Sequence, residues 1–406
     1  MSHRRRLAGS LLLRLTASVA IALTAVAVAS SAGAQPPAKQ WPSGGQNISD
    51  THANPFETQI SPADVGSLGV KWTYATTGDV SATPAVVKGV VYFPDWGGDL
   101  NAVNASTGAL LWSKPISDYD GISGAKSRTS PAVAGGVIYI GDQNGAHVMA
   151  VKASTGALLW IEQLSTHASA IITQSPLVYK GVVYVGVSSS EQYAAMSSGY
   201  ACCTFRGSMV ALKAKTGKVL WQTYMVPPND NTPGGYSGGA VWSSTPALDP
   251  ATHTLYITTG NNYSIPTSAS TCESSGGTVA QCLAPDDYID AIVSLNAKTG
   301  AVNWADGEGG FDTWTEGCTQ KTITNCPIPG PDADFGSGAQ LLTITNGKKK
   351  ERVVGAGEKS GTYWEVDATT GHVLWGTPVG PGGSAGGMQW GAATDGTRIY
   401  VAEADS

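Results

Sequence analysis

The feature that most restricts how this chain can fold is a short pattern that keeps returning: an Ala two places before a Thr-Gly pair, and a Trp four places after the Gly. It runs Ala105-Ser106-Thr107-Gly108 to Trp112, and again from Ala153 to Trp160, Ala214 to Trp221, Ala297 to Trp304 and Ala368 to Trp375. Trp72, in Gly69-Val70-Lys71-Trp72, reads as the tail of a sixth copy that has lost its turn. Each copy describes a hairpin. An apolar strand such as Leu100 to Val103 enters a polar turn whose Gly accepts a positive φ, and the return strand ends in Trp. The default role of so large a side chain is to cover the gap between neighbouring sheets.

A second hairpin precedes each copy. Thr83-Pro84-Ala85-Val86 leads to Val90-Val91-Tyr92, Ser130-Pro131 leads to Ile138-Tyr139, Ser175-Pro176 leads to Val183-Tyr184, and Thr245-Pro246 leads to Leu255-Tyr256. Two hairpins make four short strands, the content of one propeller blade, and radial stacking of blades leaves no long open edge. The rival architectures are a solenoid and a pair of sandwiches. Successive Trp spacings of 40, 48, 61, 83 and 71 residues are too irregular for a tight solenoid and fit loops inserted above a constant scaffold. The expectation is an all-β propeller with five complete units between about Thr77 and Trp375 and the start of another from Met388 to Ser406. A strand run ending at Ser406 leaves a ragged edge, so the reading is of a propeller incomplete at its C-terminus. Domain limits follow: 1–34 a leader, 35–76 an N-terminal segment and closing strand, and 77–406 the blades.

The leader rests on Arg4-Arg5-Arg6, an apolar run from Leu11 to Val28 and the small tripeptide Ala32-Gly33-Ala34. This is the pattern of a secretory signal cut after Ala34, with a retained anchor as the alternative. No later stretch suffices to span a bilayer, so the mature chain is expected to be secreted or periplasmic. Cleavage removes four arginines and no acid, taking the formal charge from −6 to −10. Phosphate backbones would be repelled, which argues against a nucleic-acid partner. Export permits disulfides, and all six cysteines lie beyond the leader. The short separations of Cys272 from Cys282 and Cys318 from Cys326 suggest local loop staples, against free or differently paired thiols. No Cys-x-x-Cys-His is present, so a covalent haem would have to come from another chain.

Three polar insertions mark a possible working face: 188–207, 260–290 and 306–338. They hold Glu191, Asn261, Asp312 and Asp334, oxygen donors of the kind a hard cation takes, although Asp and Asn are also ordinary turn residues. The neighbours Cys202 and Cys203 could close a rigid eight-membered ring that presses against a flat ligand, or could have separate partners or none.

The blade signature, the opening Trp41-Pro42-Ser43-Gly44-Gly45-Gln46-Asn47 and the stretch Ala201-Cys202-Cys203-Thr204-Phe205-Arg206-Gly207 resemble the pyrroloquinoline quinone (PQQ) dehydrogenases, most nearly those of the polyvinyl alcohol type. The blade repeats alone are weakly specific, because cofactor-free assembly propellers share them. The resemblance covers nearly all of the mature chain and implies an eight-bladed propeller with PQQ and calcium on its axis. It implies Glu191, after Gly186-Val187-Ser188-Ser189-Ser190, and Asn261, in Thr258-Thr259-Gly260-Asn261, as calcium ligands. It implies Asp334, in Asp332-Ala333-Asp334-Phe335-Gly336, as catalytic base and third ligand, with Asp332 and Asp312 as alternates. An insertion holding Cys318 and Cys326 separates Asp334 from Phe311-Asp312-Thr313-Trp314, unlike the family pattern. Lys359, in Glu358-Lys359-Ser360-Gly361, would contact the quinone oxygens, Trp242 would lie beneath the ring, Arg128 would meet a PQQ carboxylate, and Thr173 would donate a hydrogen bond nearby. Cys202 and Cys203 would touch the cofactor, although they follow Glu191 here and do not sit in the preceding blade.

The implied activity is oxidation of a primary or secondary alcohol, including a polymeric one such as polyvinyl alcohol, with electrons passing to an external acceptor such as cytochrome c. A non-enzymatic binding or assembly propeller, and a PQQ enzyme for a sugar or another substrate, are the rival readings.

Overall fold

The computed structural model describes residues 40–307, 309–320, 325–326 and 328–404. The leader read at 1–34 and the first residues of the N-terminal segment lie outside the described residues.

Five antiparallel meanders follow one another along the chain. The first is Ala85–Val87, Val90–Pro94, Asp99–Asn104 and Leu110–Pro115, and the second Ala132–Ala134, Val137–Gly141, His147–Lys152 and Leu158–Gln163. The third is Leu177–Tyr179, Val182–Ser189, Ser208–Lys213 and Val219–Tyr224, with Ala170–Ile171 added beside its second strand. The fourth is Ala247–Asp249, Thr254–Thr258, Ala291–Asn296 and Val302–Gly307. The fifth is Gln340–Asn346, Lys349–Gly357, Thr362–Asp367 and Val373–Pro378. Beyond it Ala393–Thr394 pairs with Ile399–Tyr400.

The period-2 alternation of side chains explains the stacking. On the second sheet Ile138 and Ile140 pack against Leu100 and Ala102 of the first, while Tyr139 between them packs toward Val183 and Val185 of the third. On the third sheet Tyr184 turns the other way, toward Leu255 and Ile257 of the fourth. Tyr256 and Ile292 then meet Leu341 and Val354 of the fifth. Sheets buried on both faces by their sequence neighbours form the blade stack of a β-propeller. Each aliphatic side chain so buried contributes about 1.5–3 kcal/mol.

The repeat is the seam between blades. The Trp112 indole N–H donates to the Ala153 carbonyl at 3.0 Å, Trp160 to Ala214 at 2.9 Å and Trp221 to Ala297 at 3.1 Å, always the Ala of the following copy. Trp72 does the same to Ala105 at 3.0 Å, which is how a tail without its own turn still docks. The phenols of Tyr139 and Tyr184 donate to Ala214 and Ala297 as well, at 3.2 and 3.1 Å. Each of these turn carbonyls therefore accepts two bonds and is not orphaned by burial. The turn Gly is required twice over: Gly217 has a φ of +75°, and a Cβ there would sit 2.7 Å from the Trp160 ring.

The segment carrying Trp41 to Thr51 runs across the first strands of several sheets. Trp41 exchanges two backbone bonds with Val86, and the carbonyls of Pro42, Ile48, Ser49 and Thr51 accept from Val133, Leu248, Leu341 and Thr394. One stretch of chain thus ties the first, second, fourth and fifth sheets to the last hairpin.

Candidate active site

The three polar insertions meet. The turn after Thr254–Thr258 reads Thr259-Gly260-Asn261, and a Cβ on Gly260 would lie 2.4 Å from Asp334 Oδ1 and 3.1 Å from Trp242 Nε1. Glycine is what lets the Asp334 carboxylate reach the Asn261 backbone N–H, at 2.6 Å. The Asn261 amide donates to the carbonyls of Asn262 and Trp314, both at 2.7 Å, which fixes its flip and leaves Oδ1 as the acceptor end. Lys359 follows the strand Lys349–Gly357, and its ammonium lies 2.9 Å from both Asp332 Oδ1 and Asp334 Oδ2. The same ammonium is 5.4 Å from the centre of the Trp242 ring.

Carboxylates outnumber cations here. Asp290, Asp312, Asp332 and Asp334 are all buried, as is Lys359. Burial, with repulsion from Asp334, lifts Asp332 to about 8 despite Lys359. Burial lifts Asp312 to about 6, against the bonds it accepts from the Ala333 and Asp332 N–H groups, while Asp334 repels it. Asp290 is raised well above the carboxylate range by burial and then by Asp312. For Lys359, burial opposes the charge, yet Asp334 and Asp332 outweigh it and hold the ammonium above its ordinary value. Asp332 Oδ2 is buried with no hydrogen-bond partner among the described residues.

Glu191 opens a short helix, Glu191–Ala194, and its carboxylate is fully inside the protein. Oε1 accepts from the Tyr200 hydroxyl at 2.7 Å and the Thr204 N–H at 2.9 Å, and Oε2 from the Phe205 N–H at 2.8 Å. His167 Nε2 is 3.5 Å away. Burial works against this charge, but the bonds from His167, Thr204, Tyr200 and Phe205 outweigh it and hold the carboxyl below its usual range. The two bonded amides directly follow Cys202 and Cys203, which are joined to each other by a disulfide. Cys272–Cys282 and Cys318–Cys326 are also joined, as local staples.

Tyr263, two residues after Asn261, feels the charge of both Glu191 and Asp334. Its ring stacks on Phe205, with centroids 6.2 Å apart, and its phenol is raised by burial and then by the charges of Asp334 and Glu191. Trp242 packs against the cluster that contains Cys203, Phe205 and Tyr263. Arg128 and Thr173 lie farther along the same wall, around a polar cavity of about 50 Å³ that His52, Thr245 and Trp390 also line. Arg128 stacks on Trp390 at 4.2 Å, and Trp390 meets Trp242 edge to face at 5.4 Å. Among the described residues no carboxylate pairs with Arg128, and the Thr173 hydroxyl is buried without a partner.

Sequence reasoning passed over Tyr263, Trp390, Tyr200, His167 and Asp290. Tyr263 stands directly beside the Thr-Gly-Asn-Asn turn and could have been read with it. The others are single polar or aromatic residues in loops, with no spacing to distinguish them.

The family model described as outer membrane protein assembly factor BamB matches residues 72–306. The chain is 30% identical to a polyvinylalcohol dehydrogenase of Pseudomonas sp over 90% of its length and 55% of that protein. It is 30% identical to the polyvinylalcohol dehydrogenase of Sphingopyxis sp. (strain 113P3) over 91% of its length and 55% of that protein. The crystal structure of quinohemoprotein alcohol dehydrogenase from Comamonas testosteroni superposes with a TM-score of 0.63 at 25% identity, covering 84% of this chain and 49% of that one. The chain spans about half the length of the curated relatives it matches. It belongs to the family that the outer membrane protein assembly factor BamB model describes, and is a homologue of the polyvinyl alcohol and quinoprotein alcohol dehydrogenases.

Proposed function

We propose that this chain carries the active site of a PQQ- and calcium-dependent dehydrogenase that oxidises a primary or secondary alcohol to a carbonyl, with polyvinyl alcohol as the polymeric substrate. The observation that carries the reading is the buried group of Asp332, Asp334 and Lys359 against the Asn261 turn. A propeller that only binds or assembles other proteins has no use for carboxylates crowded in this way.

The residues fit the two groups. Asp332 and Asp334 share one lysine, Asp290 and Asp312 are buried with no cation paired to them among the described residues, and Asp332 Oδ2 is a hard oxygen donor without a hydrogen-bond partner, a composition suited to a dication. Glu191, Asn261 and Asp334 would hold calcium. Trp242, Lys359, the Cys202–Cys203 pair, Arg128 and Thr173 would hold a flat, anionic quinone, through stacking surface and charge. When bound, the quinone supplies a two-electron acceptor and calcium supplies Lewis acidity.

Asp334 takes the substrate's hydroxyl proton at its carboxylate. The Asn261 N–H fixes Oδ1 and Lys359 fixes Oδ2, so the base is oriented before substrate arrives. Asp334 is buried, so bulk water is largely kept from this carboxylate. Electrons would leave to an external acceptor such as a cytochrome c, and export would place the reaction in the periplasm or outside the cell. No helix among the described residues is long and apolar enough to cross a membrane.

The deciding experiment purifies the full gene product, adds PQQ and calcium, and follows dye-coupled oxidation of small secondary alcohols and of polyvinyl alcohol. Turnover that depends on both additions is expected. Failure to bind PQQ together with no turnover on any alcohol would return the chain to the binding propellers.

A further inference from the structure

The insertion that interrupts the family pattern between Asp312 and Asp332 makes its own contacts with the Glu191 loop. Asn325 Nδ2 lies 3.1 Å from the Ala195 carbonyl, 3.0 Å from that of Tyr200 and 3.4 Å from that of Ser197. A side-chain amide has two hydrogens, so the two shorter contacts take them and Ser197 is a longer third. These carbonyls belong to the turn that leaves the short Glu191 helix and ends at Tyr200. The Tyr200 hydroxyl then donates to Glu191 Oε1 at 2.7 Å. Asn325 is itself anchored, by its neighbour Cys326 in the disulfide to Cys318 and by its own carbonyl, which accepts from Thr315 Oγ1 at 3.4 Å.

We propose that Asn325 is a positioning residue for the Glu191 corner: it fixes the 195–200 turn so that Tyr200, and through Glu191 the Thr204–Phe205 backbone beside the Cys202–Cys203 pair, are held in place. Its consequence for cation binding rests on the reading of Glu191 as a calcium ligand. Outer-shell partners of this kind orient a ligand without touching the metal.

Hydrogen exchange on the full-length protein tests the positioning directly. Asn325→Asp keeps the size of the side chain and removes both N–H donors. The amides of 195–205, including Thr204 and Phe205, are expected to exchange roughly 10-fold faster, as the loss of one or two net hydrogen bonds allows. Amides of the second sheet should keep wild-type rates, and Asn325→Gln, which still donates, should restore part of the protection. The pair Cys318→Ser and Cys326→Ser leaves Asn325 in place but frees its anchor, and should show the same pattern more weakly, which covers the case in which Asn325→Asp does not fold. Unchanged exchange at Thr204 and Phe205 in the folded variants overturns the proposal. Calcium titration of the cofactor-free protein should show Asn325→Asp binding about 10-fold more weakly. A wild-type protein that binds no calcium would remove Glu191 as a ligand, while the exchange result would still decide the role of Asn325.

Discussion

Two buried acidic corners of this site are built on opposite principles. At Glu191 one carboxylate collects a hydroxyl, two backbone N–H groups and a nearby imidazole, and the charged form is favoured although no water reaches it. At Asp290, Asp312, Asp332 and Asp334 the carboxylates face one another with a single lysine among them, and burial plus mutual repulsion lift Asp332 to about 8 and Asp312 to about 6. Buried charge is tolerable when hydrogen bonds or counter-charge satisfy it and costly otherwise. The Glu191 corner is complete within the protein, whereas the aspartate corner is short of positive charge. A dication placed between them would therefore stabilise the second far more than the first.

The contrast can be broken most sharply at Asp334. Asp334→Asn keeps the shape and the Asn261 contact, so PQQ binding should persist while kcat falls by about 10²–10⁴; titration of the cofactor alongside steady-state turnover separates the two, and undiminished turnover would move the base elsewhere. Next in size is Lys359→Met, which leaves Asp332 and Asp334 uncompensated and should cost about 3–5 kcal/mol of stability by urea unfolding in calcium-free protein. Added calcium should recover part of that loss, and no such recovery would mean the aspartate corner is not where the dication sits.

The two corners should also answer pH with opposite signs in protein stripped of divalent cations. An acid raised in the folded state, as Asp332 and Asp312 are, binds its proton more tightly than the unfolded chain does, so their contribution to stability falls as pH rises from the ordinary value of 3.8 toward about 8 and about 6 respectively. Glu191 is depressed, so its contribution is present above the ordinary value of 4.5 and is lost as pH falls through its lower folded value. Thermal unfolding of wild type and Asp332→Asn across this range checks the first sign: the variant should lose less stability on the alkaline side. The smallest effect expected is that of Tyr200→Phe, which removes one hydrogen bond to a charged group and should cost roughly 1.5 kcal/mol. A loss confined to the Glu191 corner in calcium-free protein, with amide exchange around Asp334 unchanged, would show that the two corners are separable before a cation binds.

Much of the scaffold was readable in advance because its physics is local and repeated. The Thr-Gly-x-x-x-Trp pattern announces its hairpins, and the docking of Trp160 on Ala214 and Gly217 shows why the three residue types travel together. The candidate site was legible where a motif surrounds the residue, as with Asn261 after Thr-Gly or Lys359 before Ser-Gly. Tyr263 and Trp390 were not, because their neighbours in space are distant in sequence: Tyr263 stacks on Phe205, and Trp390 faces Arg128 and Trp242; Tyr200 stands in the same loop as Glu191, but an irregular loop has no period that pairs the two.

By itself the amino-acid order determined the all-β class, the blade unit and the adjacent cysteine pair, since period-2 burial, turn glycines and one-residue separations are properties of neighbouring residues. Only the tertiary structure decided that Gly260 opens a path for Asp334 to the Asn261 amide, that one lysine serves two aspartates, and that a stapled insertion braces the Glu191 turn. Those facts depend on which loops meet when the sheets stack. Burial turns the meeting into shifted charge and directed hydrogen bonds that no local pattern encodes.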